Sequence, residues 1–138
     1  MKRHTWQQTG FLVVLLAAVT ATGQGNPVVL KADIPFPFVV ANHALPAGHY
    51  VVSTLGEQTI RIANSHKQGA FVLTSRVDGR ASESLGNLVF YRYEDSYFLA
   101  QVWNAGNNQG KQVFKSLAEE ELERKGASRK ISALRAEN

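Results

Sequence analysis

Residues Ile34–Val52 read IPFPFVVANHALPAGHYVV, with three prolines, one glycine and two histidines set among large apolar side chains. Two readings compete: a loop that pairs His43 with His49, or strands joined by a turn. The spacing favours strands. Tyr50, Val52 and Thr54 alternate with Val51, Ser53 and Leu55, the period of two that puts successive side chains on opposite faces of a sheet. Leu45-Pro46-Ala47-Gly48 reads as the turn, because proline presets φ at its second position and glycine accepts a positive φ. Pro35 and Pro37 cannot donate to a sheet ladder, so they are expected on an edge strand or at a bulge, where they also blunt that edge. His43 then lies beside a loop and His49 at a strand start.

The same pattern extends outward. Short apolar stretches rich in Val, Ile, Phe and Tyr run from Val28 to Lys115 and are cut by turn residues at Asn42-His43, Gly56-Glu57, NSHKQG, DGRASESLG, EDS and AGNNQG. Strands of this length and spacing predict an antiparallel meander, and the connections are too short for the crossovers that parallel pairing needs. In NLVFYRYEDSYFLAQVW both faces are apolar: Leu88 and Phe90 on one, Val89, Tyr91 and Tyr93 on the other. A sheet bare on one side alternates more cleanly, so this hairpin is expected to be covered on both sides. Ser116-Leu117-Ala118-Glu119 is a capping box that opens a helix. Glu119 to Glu121 and Arg124-Lys125 suit the helix dipole, Glu120–Arg124 and Glu121–Lys125 are favourable pairs four residues apart, and Gly126 stops or kinks the helix. Ala127, Ile131 and Leu134 continue as a second apolar stripe at helical spacing. The expectation is a mainly β domain, a small barrel or sandwich over 28–115, with a C-terminal α-helix and basic tail over 116–138.

The chain of 138 residues suits one domain. It begins MKRHTWQQTGFLVVLLAAVTATGQG: Lys2 and Arg3, then an apolar run from Phe11 to Val19, then small residues. That is the order of a secretory signal peptide, here 1–21 with cleavage alternatively after Gly23, followed by a short linker at 22–27. The run is too short to span a membrane, and no later stretch is apolar enough to do so. There is no cysteine, which excludes disulfides and a cysteine-borne lipid anchor, so the exported chain must rely on a packed core. Without Lys2 and Arg3 the remaining 13 basic and 11 acidic residues leave a charge of +2, too near balance to argue for nucleic acid.

Few constellations carry chemistry. His43 and His49 sit six apart across a turn and His66 lies in NSHKQG, none at the spacing of a zinc site, and no metal or other cofactor is expected. No G-x-S-x-G elbow is present, and Glu94 and Asp95 occupy a tight turn, the usual place for acids without a catalytic role. A small enzyme acting on cell-envelope or polysaccharide material would have to use His43 or His49 with Asp33. The aromatics form the stronger group. Tyr91, Tyr93, Tyr97 and Trp103 fall on one hairpin with Arg92 beside them, and aromatics on a sheet face can stack on sugar rings, although cross-strand packing accounts for such clusters too. The candidate ligand-binding residues are therefore Tyr91, Tyr93, Trp103 and Arg92. Arg124, Lys125, Arg129, Lys130 and Arg135 could touch an anionic surface, but the acidic residues Glu119 to Glu123 dilute their field.

DIPFPFVVANHALPAGHYVV, LVFYRYEDSYFLAQVW and KSLAEEELER together resemble a group of small exported bacterial proteins of acidobacterial type. That group shares an I-P-F-x-F segment, an L-P-A-G-x-Y turn, a Y-F-L-x-x-V-W strand and a closing S-x-A-E-x-E-L helix. The resemblance runs from Ala32 to Arg124, with Phe114 where proline is more usual. It implies export and a single β domain, and it carries no assigned activity. The resulting expectation is an exported, periplasmic or extracellular, non-enzymatic binding or structural module. Its partner would be a cell-wall polymer, a carbohydrate or another envelope protein. A subunit of a surface assembly is the remaining alternative.

Overall fold

The computed structural model describes residues 29–79 and 86–137. The expected signal segment, the linker at 22–27 and the centre of the loop DGRASESLG lie outside them. β1 (Val29–Ile34) buries Leu30, Ala32 and Ile34 and turns Lys31 and Asp33 outward. β2 (Phe38–Val40) and β3 (His43–Leu45) form a hairpin whose turn residues, Ala41 and Asn42, have φ of 45° and 67°, the two positive values of a type I′ turn. β4 (Gly48–Thr54), β5 (Thr59–Asn64) and β6 (Gly69–Asp78) follow as an antiparallel meander, and β4 also pairs with β1. β6 is long enough to serve two partners: Thr59–Ala63 pair with its first half, and β9 (Gln109–Val113) with its second. β7 (Gly86–Tyr93) and β8 (Ser96–Trp103) form the expected hairpin, with a bulge at Val89/Phe90.

β7 occupies one edge of β8, and β9 and β2 share the other, at Gln101–Trp103 and at Phe98 respectively. The β2–β8 contact is parallel, which the short connections had argued against. It consists of one residue pair, too brief for the crossover rule to govern. Pro35 and Pro37 are not on an edge strand. They flank Phe36 in the crossing between β1 and β2, where neither missing N–H is needed. Phe36 anchors that crossing. It stacks on Tyr97 at 3.7 Å between ring centroids and meets Phe90 edge-on at 5.0 Å. Phe38, Tyr50, Ile60, Ile62 and Phe90 fill the interior between the two halves of the sheet.

The C-terminal end departs from the expected helix and tail. α1 (Leu117–Arg124) is capped by Ser116, whose Oγ accepts from Glu119 N at 3.1 Å. It ends at Gly126, with φ of 80°. Gly126 N donates to Glu123 O and Ala127 N to Leu122 O, the paired bonds of a Schellman motif, and glycine suits the left-handed residue at its centre. Beyond it the chain reverses into β10 (Arg129–Ala136), antiparallel to β7 from Arg129↔Tyr93 to Ala136↔Gly86. The stripe Ala127, Ile131, Leu134 is therefore not helical. The free edge of β7 offers a ladder of backbone bonds that a short polar helix cannot match. The sheet remains open: between β10 and β1 there is one bridge, Lys31 N to Glu137 O at 2.6 Å and Glu137 N to Lys31 O at 2.9 Å. No described helix is long and apolar enough to cross a membrane.

Candidate functional site

The structure divides the four candidate residues. Tyr93 is fully buried. α1 lies over it, with Glu123 Oε1 2.8 Å and Glu119 Oε1 3.1 Å from its hydroxyl, and it meets Phe98 edge-on. It is a core residue and offers nothing to a ligand. Arg92 points to the other side of β7. Its guanidinium lies 5.4 Å from the Tyr97 ring, its Nε donates to Glu94 O, and it reaches Asp95 at 3.8 Å. Successive residues of a strand face opposite ways, so Arg92 could share a face with neither Tyr91 nor Tyr93.

Tyr91 and Trp103 remain together on one face of β7 and β8. Both are half-buried, and Arg129 of β10 stands 4.3 Å from the Tyr91 ring. Trp103 is opposite Gly110 in β9. A methyl group on Gly110 would stand 2.7 Å from Trp103 Cδ2 and 2.8 Å from Cε2 and Cε3. Such near-equal distances to three ring atoms mean that the indole lies flat on the backbone, a close approach that only glycine allows. Three hydrogen bonds fix it: Trp103 Nε1 donates to Gln101 Oε1, Gln101 Nε2 to Gln112 Oε1, and Gln112 Nε2 to Ala100 O. The indole is thus preorganised at no further ordering cost to a ligand. Gly110→Ala is expected to lift the ring, shift Trp103 emission to the red and cost about 1–3 kcal/mol of stability. Unchanged emission and unchanged urea midpoint would contradict the flat packing.

The capping box forms by half. Ser116 plays its part, but the Glu119 carboxylate turns inward to Tyr93 and does not return to the helix start. Glu119 is 3 % exposed, and burial is the main force pushing its pKa up, with the Glu123 charge adding to it. Glu123 is held below the usual carboxylate range by Lys115, which donates to both its oxygens, and by Tyr93. This network reads as structural, a clamp that holds α1 on β7.

The three described histidines are exposed. His43 pairs with Val40 in the β2–β3 hairpin and His66 sits at the tip of the β5–β6 turn. His49 stands opposite Asp33, and its Nδ1 contacts Asp33 Oδ1. Both line a groove of about 830 Å³ along β1, β4 and β5, bounded by the end of β10. Lys31, Arg61 and Arg135 line it too. The sequence pointed to Arg135 only as part of the basic tail and to neither Lys31 nor Arg61, because three separate strands bring them together. Among the described residues no cluster of three or more His, Asp or Glu side chains could hold a metal ion. No protein-family model matches the chain, and no curated protein or solved structure matches it either.

Proposed function

We infer that the chain is an exported, non-enzymatic binding module that holds carbohydrate of the cell envelope against the Trp103 face. The order of charge, apolar run and small residues over 1–21 supports export, to the periplasm or beyond the cell. The observation that carries the binding reading is the indole of Trp103, laid flat on Gly110 and fixed through Nε1. A rigid aromatic plane set among the Gln101 and Gln112 amides suits a sugar ring, whose C–H face stacks while its hydroxyls seek amides.

The test has a built-in reporter. Of the two tryptophans, Trp6 lies in the segment expected to be removed, so Trp103 alone reports in the chain from residue 22 onward. Titration with neutral and amino-sugar oligosaccharides is expected to change its emission saturably. By calorimetry Trp103→Ala is expected to weaken binding about tenfold or more. Equal affinity of Trp103→Ala, or no saturable change with any of these sugars, would remove the reading.

A small enzyme is the second reading, favoured by one observation, the contact of His49 with Asp33 in a groove. It predicts hydrolysis of a cell-envelope glycan that His49→Ala abolishes. Both side chains are largely exposed, at 87% and 76%, whereas an acid–base pair works best where water is excluded.

A further inference from the structure

Lys31 of β1 stands opposite Val51 of β4, and Val51 opposite Ala63 of β5. Arg61 precedes Ala63 by two residues and shares its face. These four side chains form one strip across three strands, on the side away from the core. Lys31, Val51 and Arg61 are all exposed. His49 and Asp33 make the next row, Ser65 lies beyond Ala63, and Glu137, bridged to Lys31, bounds the far side. The groove is open to solvent, and its volume of about 830 Å³ falls within the range of small-ligand sites.

Among the described residues neither Lys31 nor Arg61 has an ion-pair partner. Arg61 lies 5.9 Å from the Phe71 ring, and Asp33 is engaged by His49. A single carboxylate between Lys31 and Arg61 gives both cations a partner, whereas a doubly charged group there would meet stronger repulsion from Asp33 and Glu137, which line the same groove. The contact of His49 Nδ1 with a carboxylate makes that nitrogen the donor. Nε2 is then the acceptor in neutral imidazole, suited to a ligand hydroxyl. Val51 and Ala63 supply a low apolar floor.

We propose that this groove is a binding site for a sugar acid, with its carboxylate between Arg61 and Lys31 and its hydroxyls within reach of His49 Nε2 and Ser65 Oγ. The site is separate from the Trp103 face and stands or falls without it.

Calorimetric titration of the folded Trp103→Ala chain, which lacks the aromatic face proposed above, with the methyl glycoside of galacturonic acid, the neutral methyl glycoside of galactose and inorganic phosphate, at low salt, tests this. Saturable binding of the acid sugar alone is expected. Lys31→Gln combined with Arg61→Gln in that chain weakens it at least about tenfold. Equal affinity for the neutral sugar, tighter binding of phosphate, an unaffected Lys31 and Arg61 double variant, or no saturation at millimolar acid sugar would each overturn the proposal. Amide shifts in the unaltered chain give a second measurement that needs no variant. Shifts confined to residues 31, 49, 51, 61 and 63 support the site, and shifts centred elsewhere refute it.

Discussion

Replacing Phe90 with alanine is expected to lower stability by about 3–5 kcal/mol, the usual range for removing a fully buried phenyl ring. Phe90 is wholly buried and meets Phe36 at 5.0 Å and Phe38 at 5.5 Å, both edge-on. Phe38 in turn meets Tyr50 at 5.1 Å. The ring therefore joins β7 to the crossing between β1 and β2 and, through Phe38, to β4. Edge-to-face pairs contribute about 0.5–1.5 kcal/mol each beyond the area they bury, and Phe90 makes two. A single domain of this size has about 5–15 kcal/mol in all, so the variant should unfold at markedly lower urea. Phe36, half-buried between Phe90 and Tyr97, should lose less on truncation. Val51→Ala, on the outer face, should move stability by no more than about 0.5 kcal/mol. A loss below about 1 kcal/mol for Phe90→Ala would mean that the core collapses into the space, and that the crossing is held by something other than this ring.

That ring cluster shows what the sequence makes legible. Alternation in Tyr50–Leu55 marks a strand because one of its faces is buried and the apolar side chains follow that face. The apolar second face of β7 predicted a cover, and α1 supplies it over Tyr93. β10 was not legible. Its half-buried or buried positions are Ser132, Leu134 and Ala136, while Ile131, its largest apolar residue, is 68% exposed. With Leu134 the one large apolar residue inward and Ile131 outward, there is no periodicity of two to detect. The strand exists because β7 has an open edge, a fact about the rest of the fold. The candidate site divides in the same way. Trp103 and Tyr91 share a face only because of the bulge at Val89/Phe90: strict alternation over the five residues from Phe98, opposite Tyr91, to Trp103 would put them on opposite faces. Tyr93 leaves that surface because α1 lands on one end of it. Lys31 and Arg61 meet only through the order β1-β4-β5, which no local pattern encodes.

Replacing Tyr93 with phenylalanine is expected to cost about 1–3 kcal/mol near neutral pH, because it leaves the buried Glu119 without its partner, and to cost less in weak acid. The hydroxyl has one proton and two carboxylates within reach. Both contacts are satisfied at once only if Glu119 is protonated and donates to the Tyr93 oxygen while Tyr93 donates to Glu123, which Lys115 neutralises. Burial, the first cause, raises the Glu119 pKa above its unfolded value. Its contribution is therefore fully present below the ordinary carboxylate pKa and is lost as pH rises through the raised one. Glu123 runs the opposite way: lowered by Lys115 and Tyr93, it contributes above the ordinary value and its contribution is lost as pH falls through the lowered one. Stability from this network should peak in weak acid. Glu119→Gln keeps a neutral hydrogen-bonding group at every pH. It should erase the decline on the alkaline side and gain on the unaltered chain between about pH 4 and pH 8, either side of the ordinary carboxylate range. In Tyr93→Phe, Glu119 can still be neutralised by a proton, so the penalty should shrink toward acid. Urea unfolding of the unaltered chain, Tyr93→Phe, Glu119→Gln and the double variant at both pH values measures the coupling directly. Additive losses independent of pH would show that Glu119 stays ionised beneath α1 and that Tyr93 holds the helix by packing alone.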